Sequence, residues 1–278
     1  MDSNGIGLPY EITHWSKSNG HLEAWIRLAE VSSIASTTFY LYYGGDPEFA
    51  PRPDPTATFS GYLGVWHMDD SLATATVNDS TGTMPGTATG LTTTDQVSGR
   101  VGGAIDFNGT NQIAFKNTLT GSGSHTISAW VNARTASGTD TILALGTGAV
   151  NEARFMHVTE VNNKNFGFFQ NDWVMPITLE NAGWTSIYWV FDGNSRTGRL
   201  YRNGVLVAGP FTYATGINTT GSEGYLGYAP AAFGSTCGLN GSLDEVRVST
   251  TTLDPAWIAT EYANQSDPAS FYTVGPEQ

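Results

Sequence analysis

Paired carboxylates are the first chemistry to look for, and the sequence holds two adjacent pairs, Asp69-Asp70 and Asp244-Glu245. A retaining glycosidase needs two carboxyl groups about 5–5.5 Å apart across one scissile bond. Neighbours on a strand point to opposite faces, so neither pair is expected to flank such a bond. No Gly-x-Ser-x-Gly elbow occurs to present a nucleophilic serine. The five histidines, His14, His21, His67, His125 and His157, show no zinc-ligand spacing. Cys237 is the single cysteine, which excludes an intrachain disulfide and a Cys-based zinc site. It is expected to be a small buried residue.

Binding chemistry is better represented. There are 8 Trp, 12 Tyr and 13 Phe. Trp66, Trp130 and Trp189 lie in apolar runs and read as core. Trp173 follows Asn171-Asp172 and is expected between two strands. An exposed indole beside amide and carboxylate groups can stack a pyranose ring and hydrogen-bond its hydroxyls. Tyr228 and Phe233, around Ala229-Pro230, have the same character. The competing reading folds these residues back onto the core as turn residues. If Trp173 is an exposed loop residue, replacing it should weaken binding and leave stability nearly unchanged.

The elements that must carry these groups are strands. The chain has 278 residues with 33 Gly and only 13% charged residues, and it lacks long helix-forming runs. That balance suits many short strands joined by tight turns. Strands are expected near residues 8–12, 21–28 and 37–43. After a proline-rich connector (Pro47, Pro51, Pro53, Pro55), they are expected near 63–68, 104–107, 125–132, 141–145, 166–170, 185–192, 199–202, 205–208, 225–228 and 241–248. Asn203-Gly204 predicts a type I′ hairpin turn. Asp254-Pro255 predicts a capped helix start. A formal charge of −13 argues against nucleic acid and against an anionic membrane surface. No apolar run has the length of a membrane span.

Several pieces then line up in order. Val65-Trp66-His67-Met68-Asp69-Asp70, Asn78-Asp79-Ser80-Thr81-Gly82 and the run from Gly102 to Gly109 come first. Thr126-Ile127-Ser128-Ala129-Trp130-Val131, the run from Trp184 to Gly193 and Leu200-Tyr201-Arg202-Asn203-Gly204 follow. Tyr225-Leu226-Gly227-Tyr228, the run from Leu239 to Val248 and Trp257-Ile258-Ala259 complete the series. Together they resemble the LamG-like, concanavalin A-like lectin/glucanase jelly-roll domain, over residues 61–277. Residues 1–55, through Leu8-Pro9-Tyr10-Glu11-Ile12, Trp15, Ala24-Trp25-Ile26 and the run from Phe39 to Gly44, resemble the C-terminal part of a DUF2341 domain. That domain often precedes such a jelly roll in bacterial and archaeal surface proteins. In it, several strands precede the Leu-Pro-Tyr strand. The chain is therefore expected to begin inside the domain, as an expression fragment, a processed product or half of a split pair.

The resemblance implies an all-β fold: a concanavalin A-like jelly-roll sandwich with a small partial β domain at the N-terminus and a short C-terminal helix. It also implies a structural Ca²⁺ where the first strand's exit loop meets the last strand, with Asp69 or Asp70, Asp79 and Asp244 as the matching acids. The alternative is that these acids only make turns and hydrogen bonds. Glycoside hydrolases of this fold carry a Glu-x-Asp-x-x-Glu pattern, which does not occur here. The expected function is a non-catalytic carbohydrate-binding or adhesive module of a bacterial secreted, periplasmic or cell-surface protein, with Asn171, Asp172, Trp173 and Tyr228 toward the ligand. The alternatives are a structural β spacer or interaction domain and, after it, a glycosidase or lyase. The expected partners are a glycan or cell-surface ligand, plus a strand-donating chain or second copy at the N-terminal segment. Nucleic acid and membrane insertion are not expected.

Overall fold

The structure is a computed structural model that describes residues 1–2, 5–44, 52–134, 139–159, 164–174, 177–231 and 237–277. The chain divides into two compact units, Met1–Ser60 and Gly61–Gln278. Pro47, Pro51 and Phe233 lie outside the described residues.

The first unit holds an antiparallel pair, β1 (Tyr10–Ser16) and β2 (His21–Ile26), in register from Tyr10↔Ile26 to Ser16↔His21. A short helix, α1 (Pro55–Thr58), follows, with its start capped by Asp54, whose Oδ1 accepts the Ala57 N–H at 2.9 Å. The strand expected at residues 37–43 does not form. Phe39 makes one isolated bridge to Asp2, and Leu41 and Tyr42 are 62% and 69% exposed. High β propensity needs a neighbour's backbone to act on, and none of the described strands pairs with this run.

The second unit is built from β3 (Tyr62–Trp66), β4 (Thr76–Val77), β5 (Gly86–Thr89), β6 (Gln96–Ser98), β7 (Gly103–Asn108), β8 (Gln112–Lys116) and β9 (His125–Ala133). Next come β10 (Asp140–Gly146), β11 (Ala153–Thr159), β12 (Lys164–Phe168), β13 (Asn171–Val174), β14 (Thr185–Asp192), β15 (Thr197–Arg202) and β16 (Val205–Thr212). The series ends with β17 (Glu223–Leu226), β18 (Tyr228–Ala229), β19 (Cys237–Gly238), β20 (Asn240–Ser249), α2 (Pro255–Ser266) and α3 (Pro268–Phe271).

Two antiparallel sheets form the sandwich. One runs β13-β12-β11-β10-β17-β8-β5-β4. The other runs β16-β15-β14-β9-β20-β7-β6, with β3 paired to β20. Trp66, Phe107, Ile127, Leu143, Phe168, Trp189 and Val246 fill the space between them. Burying each such apolar side chain contributes about 1.5–3 kcal/mol. This is the all-β jelly roll with a short C-terminal helix that the resemblance implied.

Local chemistry follows expectation at two joints. Asn203 and Gly204 both take positive φ, 50° and 77°, and turn β15 into β16. Asp254 Oδ1 accepts the Ala256 N–H at 2.7 Å with Pro255 in the first turn of α2. Strand β11 was not expected, because its inward-facing Arg154 breaks the apolar period. Its guanidinium lies over the Phe168 ring, 5.5 Å from the centroid, and donates to the Leu119 and Gly121 carbonyls, both at 3.1 Å.

Candidate functional site

The acids come first. Asp79 is buried, and donors surround its carboxylate. Oδ1 accepts the Val65 and Thr81 N–H groups at 2.8 and 3.0 Å. Oδ2 accepts the Thr83 and Met84 N–H groups at 2.9 and 2.7 Å and the Thr81 hydroxyl at 2.7 Å. These donors place the positive ends of five dipoles where a cation would have to sit. Asp79 therefore anchors its own loop onto β3. Asp70 is held by Asn78, through the backbone N–H at 3.1 Å and Nδ2 at 2.5 Å. Asp69 is exposed. Loss of hydration around the carboxyl groups pushes both up; the Asn78 hydrogen bonds and then His67 oppose this at Asp70, and at Asp69 His67 opposes it while the Asp70 and Glu245 charges add to it.

Asp244 is fully buried. Its Oδ2 accepts the Arg100 and Val101 N–H groups at 2.7 and 2.8 Å, while its Oδ1 has no hydrogen-bond partner. Among the described residues, no three His, Cys, Asp or Glu side chains are grouped to hold a metal ion. Ca²⁺ needs a shell of six to eight oxygens. N–H donors already engage both oxygens of Asp70 and of Asp79 and one oxygen of Asp244.

One expectation about these acids is corrected. Asp244 and Glu245 do not point to opposite faces. The register of β20 against β9 shifts between Asp244 and Arg247, and Glu245 has φ of +49°. Such a bulge adds one residue to the strand and re-aims its side chains. Asp244 pairs across from Trp130, and Glu245 lies beside Ser128 and Trp130, so both acids face outward from the sandwich. They are buried all the same. Glu245 pairs with His67 Nδ1 at 2.7 Å and with Arg247 Nη2 at 2.6 Å, and Arg247 reaches on to Glu261 of α2. Burial and the Glu245 charge push Asp244 well above the usual carboxylate range. Burial alone would raise Glu245 too, but His67 and Arg247 hold it below the ordinary value.

Asn171, Asp172 and Trp173 stand on β13, an edge strand, and not in a loop between strands. The two-residue turn before it works because Gln170 accepts φ of +59°. Asn171 ties neighbouring loops together: Nδ2 donates to Asn151 Oδ1 at 2.8 Å, and Oδ1 accepts the Ala214 N–H at 3.1 Å. Trp173 is 36% exposed and stacks on Phe211, with Tyr213 edge-on. Tyr228 is half-buried in the separate β18–β19 pair. Phe211, Tyr213 and Asn151 belong to this neighbourhood without having been singled out from the sequence. The signal for Phe211 was present, since the apolar run from Val205 continues past Gly209-Pro210.

The family model for the concanavalin A-like lectin/glucanases superfamily matches residues 107–259. No curated relative matches the chain. Among solved structures, domain 4 of AbnA, a GH43 extracellular arabinanase from Geobacillus stearothermophilus in complex with arabinotriose, aligns with a TM-score of 0.54 at 20% identity, over 73% of this chain and 98% of that one. Trypanosoma rangeli sialidase aligns with a TM-score of 0.51 at 13% identity, over 74% of this chain but 33% of its own. The binding domain of Paraclostridial Mosquitocidal Protein 1 aligns with a TM-score of 0.52 at 13% identity, over 73% of this chain and 52% of its own. At these identities the likeness is one of fold. By its matched family model and its two-sheet architecture, the chain belongs to the concanavalin A-like lectin/glucanase superfamily.

Proposed function

We propose that the second unit is a non-catalytic carbohydrate-binding or adhesive module of a bacterial secreted or cell-surface protein. The observation that carries this reading is Trp173: one face of its indole is covered by Phe211, and the residue keeps 36% of its surface exposed. A rigid, half-exposed ring on a strand is the geometry a pyranose can stack on. The arabinotriose complex of the arabinanase domain, a domain of similar fold, supports the same class of ligand. Among the described residues, no helix is long and apolar enough to cross a membrane. The test is a screen of the full chain against diverse polysaccharides, repeated with Trp173→Ala. Binding that survives the substitution moves the site elsewhere, and silence across the screen removes the reading. Sugar release that a single carboxylate substitution abolishes would make the protein a glycosidase or lyase.

A second reading is a structural spacer or interaction domain. The exposed run around Leu41 and Tyr42 in the first unit favours it. In that reading the DUF2341-like segment meets a strand-donating chain or a second copy.

A further inference from the structure

We propose that α2 is a strap that detaches from the sandwich as a unit while both sheets stay folded. The proposal stands apart from the saccharide reading at Trp173. It starts from how little apolar surface fastens the helix. Of the residues Pro255–Ser266, only Ile258 and Gln265 are buried, and Trp257 is 49% exposed. A helix of this length is marginal in water, so its docking must supply its stability.

That docking is mostly polar. Trp130 Nε1–H donates to Gln265 Oε1 at 2.5 Å, and Gln265 Nε2 donates to Glu261 Oε1 at 3.3 Å. Arg247, on β20, pairs with Glu261 as well as with Glu245. The apolar contacts are the Tyr262 ring stacked on Trp130, with centroids 5.7 Å apart, and Ile258 in a small cluster with Tyr188, Val190 and Tyr201. Polar groups, including Ser128, Ser186, Glu245 and Gln265, line much of the layer between helix and strands.

A buried ion pair gains little over its hydrated parts, because desolvation offsets the Coulomb attraction. Deleting one partner is costly, since it strands the other charge. Lifting the whole helix is different, because water reaches Glu261 and Arg247 together. Arg247 also keeps Glu245 as a partner when α2 leaves. The helix follows the last strand of the sandwich, so its departure breaks no strand ladder. Release would bare Trp130 and Tyr188 beside Ser186, Glu245 and Arg247, a surface with ring faces next to hydrogen-bonding groups.

Hydrogen exchange followed by mass spectrometry on the full chain tests this. We expect α2 amides to exchange at least about 100-fold faster than those of β9 and β14, as a local opening below the global one requires. Glu261→Gln should accelerate α2 by roughly a further tenfold and leave the strand rates unchanged. A second measurement uses Ser128→Cys, whose thiol lies under the helix. It should react with a thiol reagent faster than the buried Cys237, at a rate that follows α2 exchange. If α2 and the strands exchange together through one global opening, or if Glu261→Gln accelerates both equally, the helix is an integral part of the sandwich and the proposal is wrong. Should the Glu261 variant not fold, wild-type exchange and thiol labelling decide the matter.

Discussion

Trp173 and Phe211 stack with ring centroids 4.8 Å apart and planes 21° apart, and they come from the edge strands of opposite sheets, β13 and β16. The pair bridges the open side of the sandwich, with Tyr213 edge-on to the indole at 6.5 Å. Trp173→Ala should therefore cost about 1–3 kcal/mol of stability in urea unfolding, as a stacked, partly buried aromatic does. That differs from the near-zero cost expected of a loop residue. Trp173→Phe should keep most of the stability and part of the saccharide binding. An unchanged urea midpoint for Trp173→Ala would show that the pair holds nothing together.

This is where sequence reading reached its limit. The strands β9, β14, β15 and β20 are legible because apolar residues alternate along them and Asn203-Gly204 fixes a turn. The β20 bulge is not legible. Period-two alternation assumes an unbroken ladder, and the positive φ of Glu245 depends on what β20 pairs with on both sides. Trp173 is legible as a candidate exposed indole but not as a strand residue, because its covering partner Phe211 lies 38 positions away in sequence and meets it only across the two sheets.

Asp79 carries the second prediction. Asp79→Ala leaves the Val65, Thr81 and Met84 N–H groups without their acceptor, while Thr83 keeps Thr81 Oγ1; Val65 and Met84 are buried, and a buried orphan costs about 1–3 kcal/mol. We expect a loss of about 3 kcal/mol or more, with Asp79→Asn intermediate. Melting in chelator and in millimolar Ca²⁺ should coincide if Asp79 only holds its loop, because these donors already take up both of its oxygens. A melting temperature that rises with Ca²⁺, and stops rising in Asp244→Asn, would instead place a cation at the unpartnered Asp244 Oδ1.

The buried acids predict opposite pH limbs. The Asp244 carboxyl is raised in the folded state, so the folded chain holds its proton more tightly than the unfolded chain. Its contribution is full below the ordinary carboxylate value and is lost as pH rises through the folded value. Glu245 is lowered, so its contribution is present above the ordinary value and is lost as pH falls through the folded one. Asp244→Asn keeps an oxygen for the Arg100 and Val101 N–H groups and should flatten the loss on the rising limb alone. Stability profiles of the variant and the parent that run parallel from pH 4 to 9 would remove Asp244 as the cause.

The net charge of −13 bears on ligand choice. Like-charged polymers are repelled over a Debye length, about 10 Å at 0.1 M salt. Neutral saccharides should bind with little salt dependence, and uronate or sialylated glycans should bind more weakly at low salt than at high salt. Tighter binding of acidic glycans at low salt would point to a basic site in place of the Trp173 neighbourhood.

The last prediction concerns the first unit. Among its described residues the one paired element is a two-stranded hairpin, which is marginal on its own. Ile12, Trp15, Leu41 and Tyr42 are 44%, 59%, 62% and 69% exposed. Apolar and aromatic side chains at this density beside an open strand edge form a template for strand addition. The full chain should therefore gain mass with concentration in sedimentation, and Leu41→Ser with Tyr42→Ser should suppress the gain without lowering the melting temperature. Hydrogen exchange separates the remaining outcomes. Protection of β1 and β2 that grows with concentration identifies a second copy as the partner. Protection that appears only with an added extended peptide identifies a donated strand. A chain that stays monomeric at every concentration, with β1 and β2 amides unprotected under both conditions, would show that the edge recruits nothing.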